Sequence, residues 1–135
     1  MKVSVIIVSY NTREILGKCL QELLAKSGEE EMEIFVVDNN SADKSADMVA
    51  SEFPQIQTIA NRENRGFAAA NNQAWKKSTG EFILLLNPDA YIKHNAVSTV
   101  RRFLESHPDC GLCGGRLVNL DGDLDPSARR FPNAW

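Results

Sequence analysis

Two nearly unbroken apolar runs, Val3–Val8 and Phe82–Leu86, stand out along the chain. The first is β-branched at Val3, Val5, Ile6, Ile7 and Val8. Both read as strands buried on two faces, as in a parallel sheet covered by helices. Glu33–Val37 has the same character, and Ile56–Ile59 forms a shorter strand. Between these runs the apolar positions fall at helical spacing. Leu16, Leu20, Leu23 and Leu24, widened by Ile15 and Cys19, predict a helix running to about Lys26 and stopping near Gly28, with Asn11 and Glu14 as its capping pair. Ser41 suits the N-cap of a second helix that turns Ala42, Ala46, Val49, Ala50 and Phe53 inward and closes at Pro54. Phe67, Ala70, Ala74 and Trp75 mark the inner face of a third helix, ended by Gly80, with Trp75 in the core. A fourth covers Asn95–Ser106, with Val97, Val100, Phe103 and Leu104 inward. Strand and helix alternate four times, which predicts an α/β fold with a mainly parallel sheet flanked by helices. Beyond Pro108, Gly111, Gly114 and Gly115 punctuate one more strand, and Leu120-Asp121-Gly122-Asp123 reads as a hairpin turn.

Composition narrows this picture. A chain of 135 residues, 43% hydrophobic and 24% charged, has the proportions of one globular domain. A net charge of −3 gives no general attraction to nucleic acid, so none is expected as a partner, and a phosphorylated ligand would need local, metal-assisted binding. No apolar run approaches the ~20 residues of a membrane span, and Met1-Lys2-Val3 begins a strand rather than a leader. Three cysteines, an odd number, suit a reducing, cytoplasmic setting.

The chemistry gathers where the strands end. Proline lacks an N–H and fixes its own φ, so the strand before Asn87-Pro88-Asp89 must stop there and deliver Asp89 at its carboxyl end. Ser9-Tyr10-Asn11, Asp38-Asn39-Asn40 and Asn64-Arg65-Gly66 also follow strands. Right-handed crossovers bring all four loops to one edge, where open α/β sheets bind ligands. The ligand follows by exclusion. After the first strand there is no glycine-rich turn of the kind that cradles a pyrophosphate with backbone N–H groups, and there is no P-loop. A divalent metal, Mg²⁺ or Mn²⁺, held by one carboxylate and by phosphate oxygens is the alternative, and Asp89 fits that role. Asp38 can accept the imide N–H of uracil or thymine, Tyr10 offers a flat face to the base, and Arg65 suits base or phosphate.

Four ordered motifs carry a family resemblance. Val3-Ser4-Val5-Ile6-Ile7-Val8-Ser9-Tyr10-Asn11, Val37-Asp38-Asn39-Asn40-Ser41, Asn64-Arg65-Gly66-Phe67-Ala68-Ala69-Ala70-Asn71 and Leu86-Asn87-Pro88-Asp89 resemble family 2 glycosyltransferases, nearest the bacterial rhamnosyltransferase-like branch that builds surface polysaccharides. Gly114-Gly115-Arg116-Leu117, Asp121-Gly122 and Arg129-Arg130-Phe131-Pro132 extend the resemblance. It implies a Rossmann-like GT-A fold and inverting transfer from a nucleotide-diphospho-sugar, UDP- or dTDP-linked, to the hydroxyl of a glycan or lipid-linked acceptor. Tyr10 and Asp38 match the family's nucleoside-binding residues, and Arg65, Gly66 and Phe67 would line base and ribose. Asp89 matches the last acid of the family's Asp-x-Asp metal motif, with Asn87 in place of the first. Together with the strand-end clusters, the nucleotide-binding set is Ser9, Tyr10, Asn11, Asp38, Asn40, Arg65, Gly66, Phe67 and Asn87, with Asp89 for metal.

The resemblance also implies a general base, an aspartate expected beyond Trp135. The chain then divides into a nucleotide-sugar-binding part, 1–118, and the beginning of an acceptor-side region, 119–135, with weak nucleotide binding and little transfer on its own. A lipid-linked acceptor would be met at the inner face of the membrane, and an apolar surface left uncovered would drive homodimerisation. The rival from another class is a non-catalytic nucleotide-binding or interaction module. A receiver-like domain would carry an acidic pair after the first strand, and Ser9-Tyr10 does not supply it. Cys110-Gly111-Leu112-Cys113, alone, reads as buried strand rather than zinc ligation, and His94 and His107 as exposed.

Overall fold

The computed structural model describes residues 2–119 and 121–125. Eight elements alternate along the chain: β1 Val3–Ser9, α1 Arg13–Lys26, β2 Met32–Asp38, α2 Ser45–Glu52, β3 Gln57–Ala60, α3 Phe67–Trp75, β4 Phe82–Leu85 and α4 Ala96–Ser106. The strands form one parallel sheet in the order β3-β2-β1-β4. The chain steps outward from β1 through β2 to β3, then crosses back to the far side of β1. The order therefore reverses between β1 and β4, and such a switch point opens a crevice at the carboxyl ends of the strands.

Two apolar clusters sandwich the sheet. Val3, Val5, Ile7, Ile34 and Val36 pack with Leu16, Cys19, Leu20 and Leu23 of α1 and Met48 and Val49 of α2. On the opposite side Ile6, Phe35 and Val37 meet Ala70 and Ala74 of α3. The period-two alternation of strand side chains supplies both faces at once, so β1 is apolar from Val5 to Val8 and β2 from Ile34 to Val37.

The second apolar run departs from expectation. β4 is an edge strand whose burial alternates, with Leu85 54% exposed. Leu85 pairs with Ile6 and Ile83 with Ser4, so both lie on the α3 side of the sheet. Helix α3 packs across β1 and β2, which leaves that side of β4 uncovered among the described residues. Trp75, expected in the core, is 57% exposed, and Phe67 is also exposed; the buried residues of α3 are Ala70, Asn71 and Ala74. In α1, Leu24 and Ile15 are partly exposed, and in α4 only Val97 of the apolar stripe is buried.

Helix starts differ as well. Thr12 precedes α1 without a side-chain cap, and Asn11 is engaged elsewhere. Helix α2 begins at Ser45 rather than after Ser41; Asp43 Oδ1 accepts both the Ser45 N–H at 3.0 Å and its hydroxyl, and Ala42 and Ala50 lie outside the core. No strand forms over residues 111–117; Leu112 is solvent-facing, and Val118 and Leu124 make an isolated antiparallel bridge across the turn at Gly122. Cys110 and Cys113 are free, half-buried thiols, and both histidines are exposed as expected. Arg129, Arg130, Phe131 and Pro132 lie outside the described residues.

The opposite edge of the sheet is fastened by Glu33. Its carboxylate accepts the Ser4 hydroxyl at 2.6 Å, the Thr79 N–H at 2.5 Å and the Gly80 N–H at 3.1 Å, and pairs with Lys2 at 3.0 Å. Burial alone would raise its pKa, but these donors outweigh burial and hold it at about 2. Gly80 does not end α3; it brings the chain against β1, where a Cβ would lie 2.7 Å from the Ser4 backbone nitrogen.

Candidate functional site

A crevice of about 500 Å³ opens at the switch point. Every strand-end loop contributes to it: Tyr10 and Thr12 after β1, Asn39 after β2, Asn64, Gly66 and Phe67 after β3, and Asn87, Pro88 and Asp89 after β4. Val8 and Ile15 complete the wall. Tyr10 is 51% exposed and Phe67 is exposed too, so two aromatic rings stand open to a ligand. Asp89 is the only carboxylate among the described residues that line the crevice.

Of the residues expected at the site, Tyr10, Gly66, Phe67, Asn87 and Asp89 line the crevice. The others serve its frame. Ser9 is buried, and its hydroxyl meets that of Thr12 at 2.9 Å. Asn11 locks two loops together: its N–H donates to Ser41 Oγ at 2.9 Å, and its Oδ1 accepts the Ala42 N–H at 2.8 Å. Asn40 is exposed with φ +67°, and makes no part of the wall. Arg65 is exposed beside the wall rather than in it.

Asp38 pairs in register with Ser9, directly before Tyr10, and is only 4% exposed. Its Oδ2 accepts the Ser41 N–H at 3.0 Å, while Oδ1 is buried with no partner. A buried acceptor without a donor is costly unless a ligand supplies one. Asp38 is not itself among the residues that line the crevice.

Two residues outside the expected set matter. Asn39, 2% exposed, takes the lining position expected of Asn40. Its N–H donates to Ser9 O at 2.8 Å, which prolongs the β1–β2 ladder by one residue and turns its side chain to the side of Phe35 and Val37. Cys19 of α1 reaches the other wall: its thiol donates to Ala90 O at 3.3 Å and lies 3.8 Å from Asn87 O. Burial, with the charge of Asp89 adding to it, pushes that thiol up to about 11. In the sequence Cys19 belongs to the apolar stripe of α1, and nothing local marks it as a turn anchor.

Among the described residues no group of three or more His, Cys, Asp or Glu side chains could hold a metal ion. The protein's own contribution to a cation in the crevice is the single carboxylate of Asp89. That fits a cation carried largely by the oxygens of its ligand, and does not fit a permanent metal centre. Among the described residues no helix is long and apolar enough to cross a membrane.

Residues 4–133 match the family described as "Glycosyl transferase family 2". A poly(ribitol-phosphate) β-glucosyltransferase of Bacillus spizizenii is 31% identical over 128 residues, which cover 90% of this chain and 20% of that protein. The structure of Staphylococcus aureus TarS in complex with UDP-GlcNAc superposes with a TM-score of 0.71 at 28% identity, covering 80% of this chain and 32% of that one. A mannosyltransferase of Pyrobaculum calidifontis in complex with GDP-Man and Mn²⁺ superposes with a TM-score of 0.69 at 26% identity, covering 76% and 32%. The chain spans a third or less of the length of the first curated relatives it matches.

Proposed function

The chain belongs to glycosyl transferase family 2 and has the Rossmann-like GT-A fold, and from that premise we propose that its crevice binds the nucleoside diphosphate of a UDP- or dTDP-linked sugar. Relatives are named as poly(ribitol-phosphate) glycosyltransferases, and solved neighbours hold UDP-GlcNAc and GDP-Man, which supports a nucleotide-sugar donor. The observation that carries the reading is the convergence of four strand-end loops on one crevice with two open aromatic rings and one carboxylate. Tyr10 and Phe67 offer faces for the base and ribose. The unpartnered Oδ1 of Asp38 supports a pyrimidine, whose imide N–H would satisfy it. Arg65, beside the wall, suits the base, at the nucleoside end of the donor. Asp89 would hold a divalent cation, Mg²⁺ or Mn²⁺, that neutralises the charge of the departing diphosphate; Asn87 cannot share that duty as an anion.

In this reading the sugar moves with inversion. The acceptor oxygen forms the new bond at the anomeric carbon as the bond to the diphosphate breaks, and the acceptor proton passes to a general base. Asp89 would be engaged with the cation, and among the described residues no other acid lines the crevice, so that base would come from outside it. Residues 1–118 are the donor part, residues 119–135 belong to the acceptor-side region, and this chain alone transfers little or no sugar. The acceptor is a glycan or lipid-linked hydroxyl met at the cytoplasmic face of the membrane. Relatives are named for glucosyl, N-acetylglucosaminyl and glucuronosyl transfer, so a hexose-type donor is favoured; the rhamnosyl reading rests on the sequence resemblance alone.

Thermal unfolding with UDP, dTDP and GDP, with and without Mn²⁺, tests the reading. A rise in Tm with a pyrimidine diphosphate that depends on Mn²⁺ and disappears in Asp89→Asn is the expected result. No shift with any nucleotide would leave an interaction module as the better account.

A further inference from the structure

The segment between β3 and α3, residues 61–66, has no apolar side chain to anchor it, yet Asn64, Gly66 and the adjoining Phe67 form one wall of the crevice. Hydrogen bonds hold it instead. Asn61 and Gln73 exchange two amide bonds, Nδ2 to Oε1 and Nε2 to Oδ1, each 2.9 Å. The second Nδ2 hydrogen of Asn61 goes to Asn39 Oδ1 at 2.9 Å. Asn39 then reaches the segment itself: Oδ1 also accepts the Arg65 N–H, and Nδ2 donates to Gly66 O, both at 3.4 Å. Its backbone is tied to Ser9 and that of Asn61 to Asp38, each at 2.8 Å, so the amides stand on the ends of the sheet.

This inventory leaves no freedom of orientation. Asn39 Oδ1 receives two donors, both hydrogens of the Asn61 amide are used, and turning any one of the three amides would set donor against donor. We propose that Asn39, Asn61 and Gln73 are an amide clamp that positions residues 64–67 for the nucleoside end of the donor. The inference rests on the donor reading above. Asn61 and Gln73 do not line the crevice, so they act as positioning residues and touch no ligand.

The test compares UDP with inorganic pyrophosphate, each with Mn²⁺, by calorimetry on the wild-type chain, Asn61→Ala and Gln73→Ala. The clamp predicts UDP binding weaker by about tenfold in either variant, with pyrophosphate binding unchanged within about twofold, because only the nucleoside contacts the held segment. Exchanging the amides, Asn61→Gln with Gln73→Asn, should recover most of the UDP affinity. Amide hydrogen exchange at Arg65 should accelerate in both alanine variants while that of Ile6 does not. Parallel loss of UDP and pyrophosphate binding would show a merely structural role and overturn the clamp. Unchanged UDP affinity in a folded Asn61→Ala would overturn the clamp while sparing the donor reading. Wild-type protein that binds pyrophosphate and ignores UDP would overturn both.

Discussion

Single side chains at the crevice differ in whether their chemistry is spare or committed. Asp38 keeps one oxygen unsatisfied, whereas Cys19 spends its thiol on the carbonyls of the turn that carries Asp89. With its pKa near 11, Cys19 stays a protonated donor throughout the physiological range and becomes thiolate only in strong alkali. Dithionitrobenzoate should therefore titrate two of the three thiols of the native chain rapidly, Cys110 and Cys113, and the third only on unfolding. Rapid reaction of all three would mean that the Asn87–Ala90 turn lifts readily from α1. Asn39 and Asn40 make the same point about placement. They are adjacent and chemically identical, but one residue of ladder continuation buries the first in the clamp and leaves the second in solvent.

At the scale of elements, the sheet is fastened at both ends by polar groups. At the carboxyl edge Asn11 and Ser41 bind two loops together; at the amino edge Glu33 gathers β1, β2 and the approach to β4. The folded-state pKa of Glu33 is depressed from 4.5 to about 2, so its contribution is complete above about pH 4.5 and is lost as pH falls toward 2. Glu33→Gln should cost about 2 kcal/mol at neutral pH and flatten the dependence of stability on pH between those limits, read by urea denaturation across that range. A variant as acid-sensitive as the wild type would assign the acid limb to other carboxylates.

For the molecule as a whole, the side of β4 left uncovered among the described residues is an exposed apolar surface. Ile83 and Leu85 continue the layer that α3 covers over β1 and β2, and the far edge of β4 has no strand partner among the described residues. Such a face favours association. The 135-residue chain should sediment as a concentration-dependent dimer, and Leu85→Lys should weaken dimerisation by about tenfold. Identical sedimentation of the two proteins would show that this face is not the contact.

The buried strands β1 and β2, the alternation that makes the sheet parallel and the four polar loops at its carboxyl edge were all legible in the chain, because each is set by residues close in sequence. Hydrophobicity and spacing state how strongly a side chain avoids water, but not which neighbour is there to cover it. Trp75, Phe67, Ile83 and Leu85 therefore read as core, yet face outward, since α3 packs mainly on β1 and β2. The same limit applies to polar groups. Asn39, Asn61 and Gln73 are unremarkable in sequence, and only the packing of β2, β3 and α3 brings their amides within 2.9 Å of one another in a chain. The loops that form the crevice were thus marked by the sequence, while which of their residues face it was left to contacts between parts of the chain far apart along it.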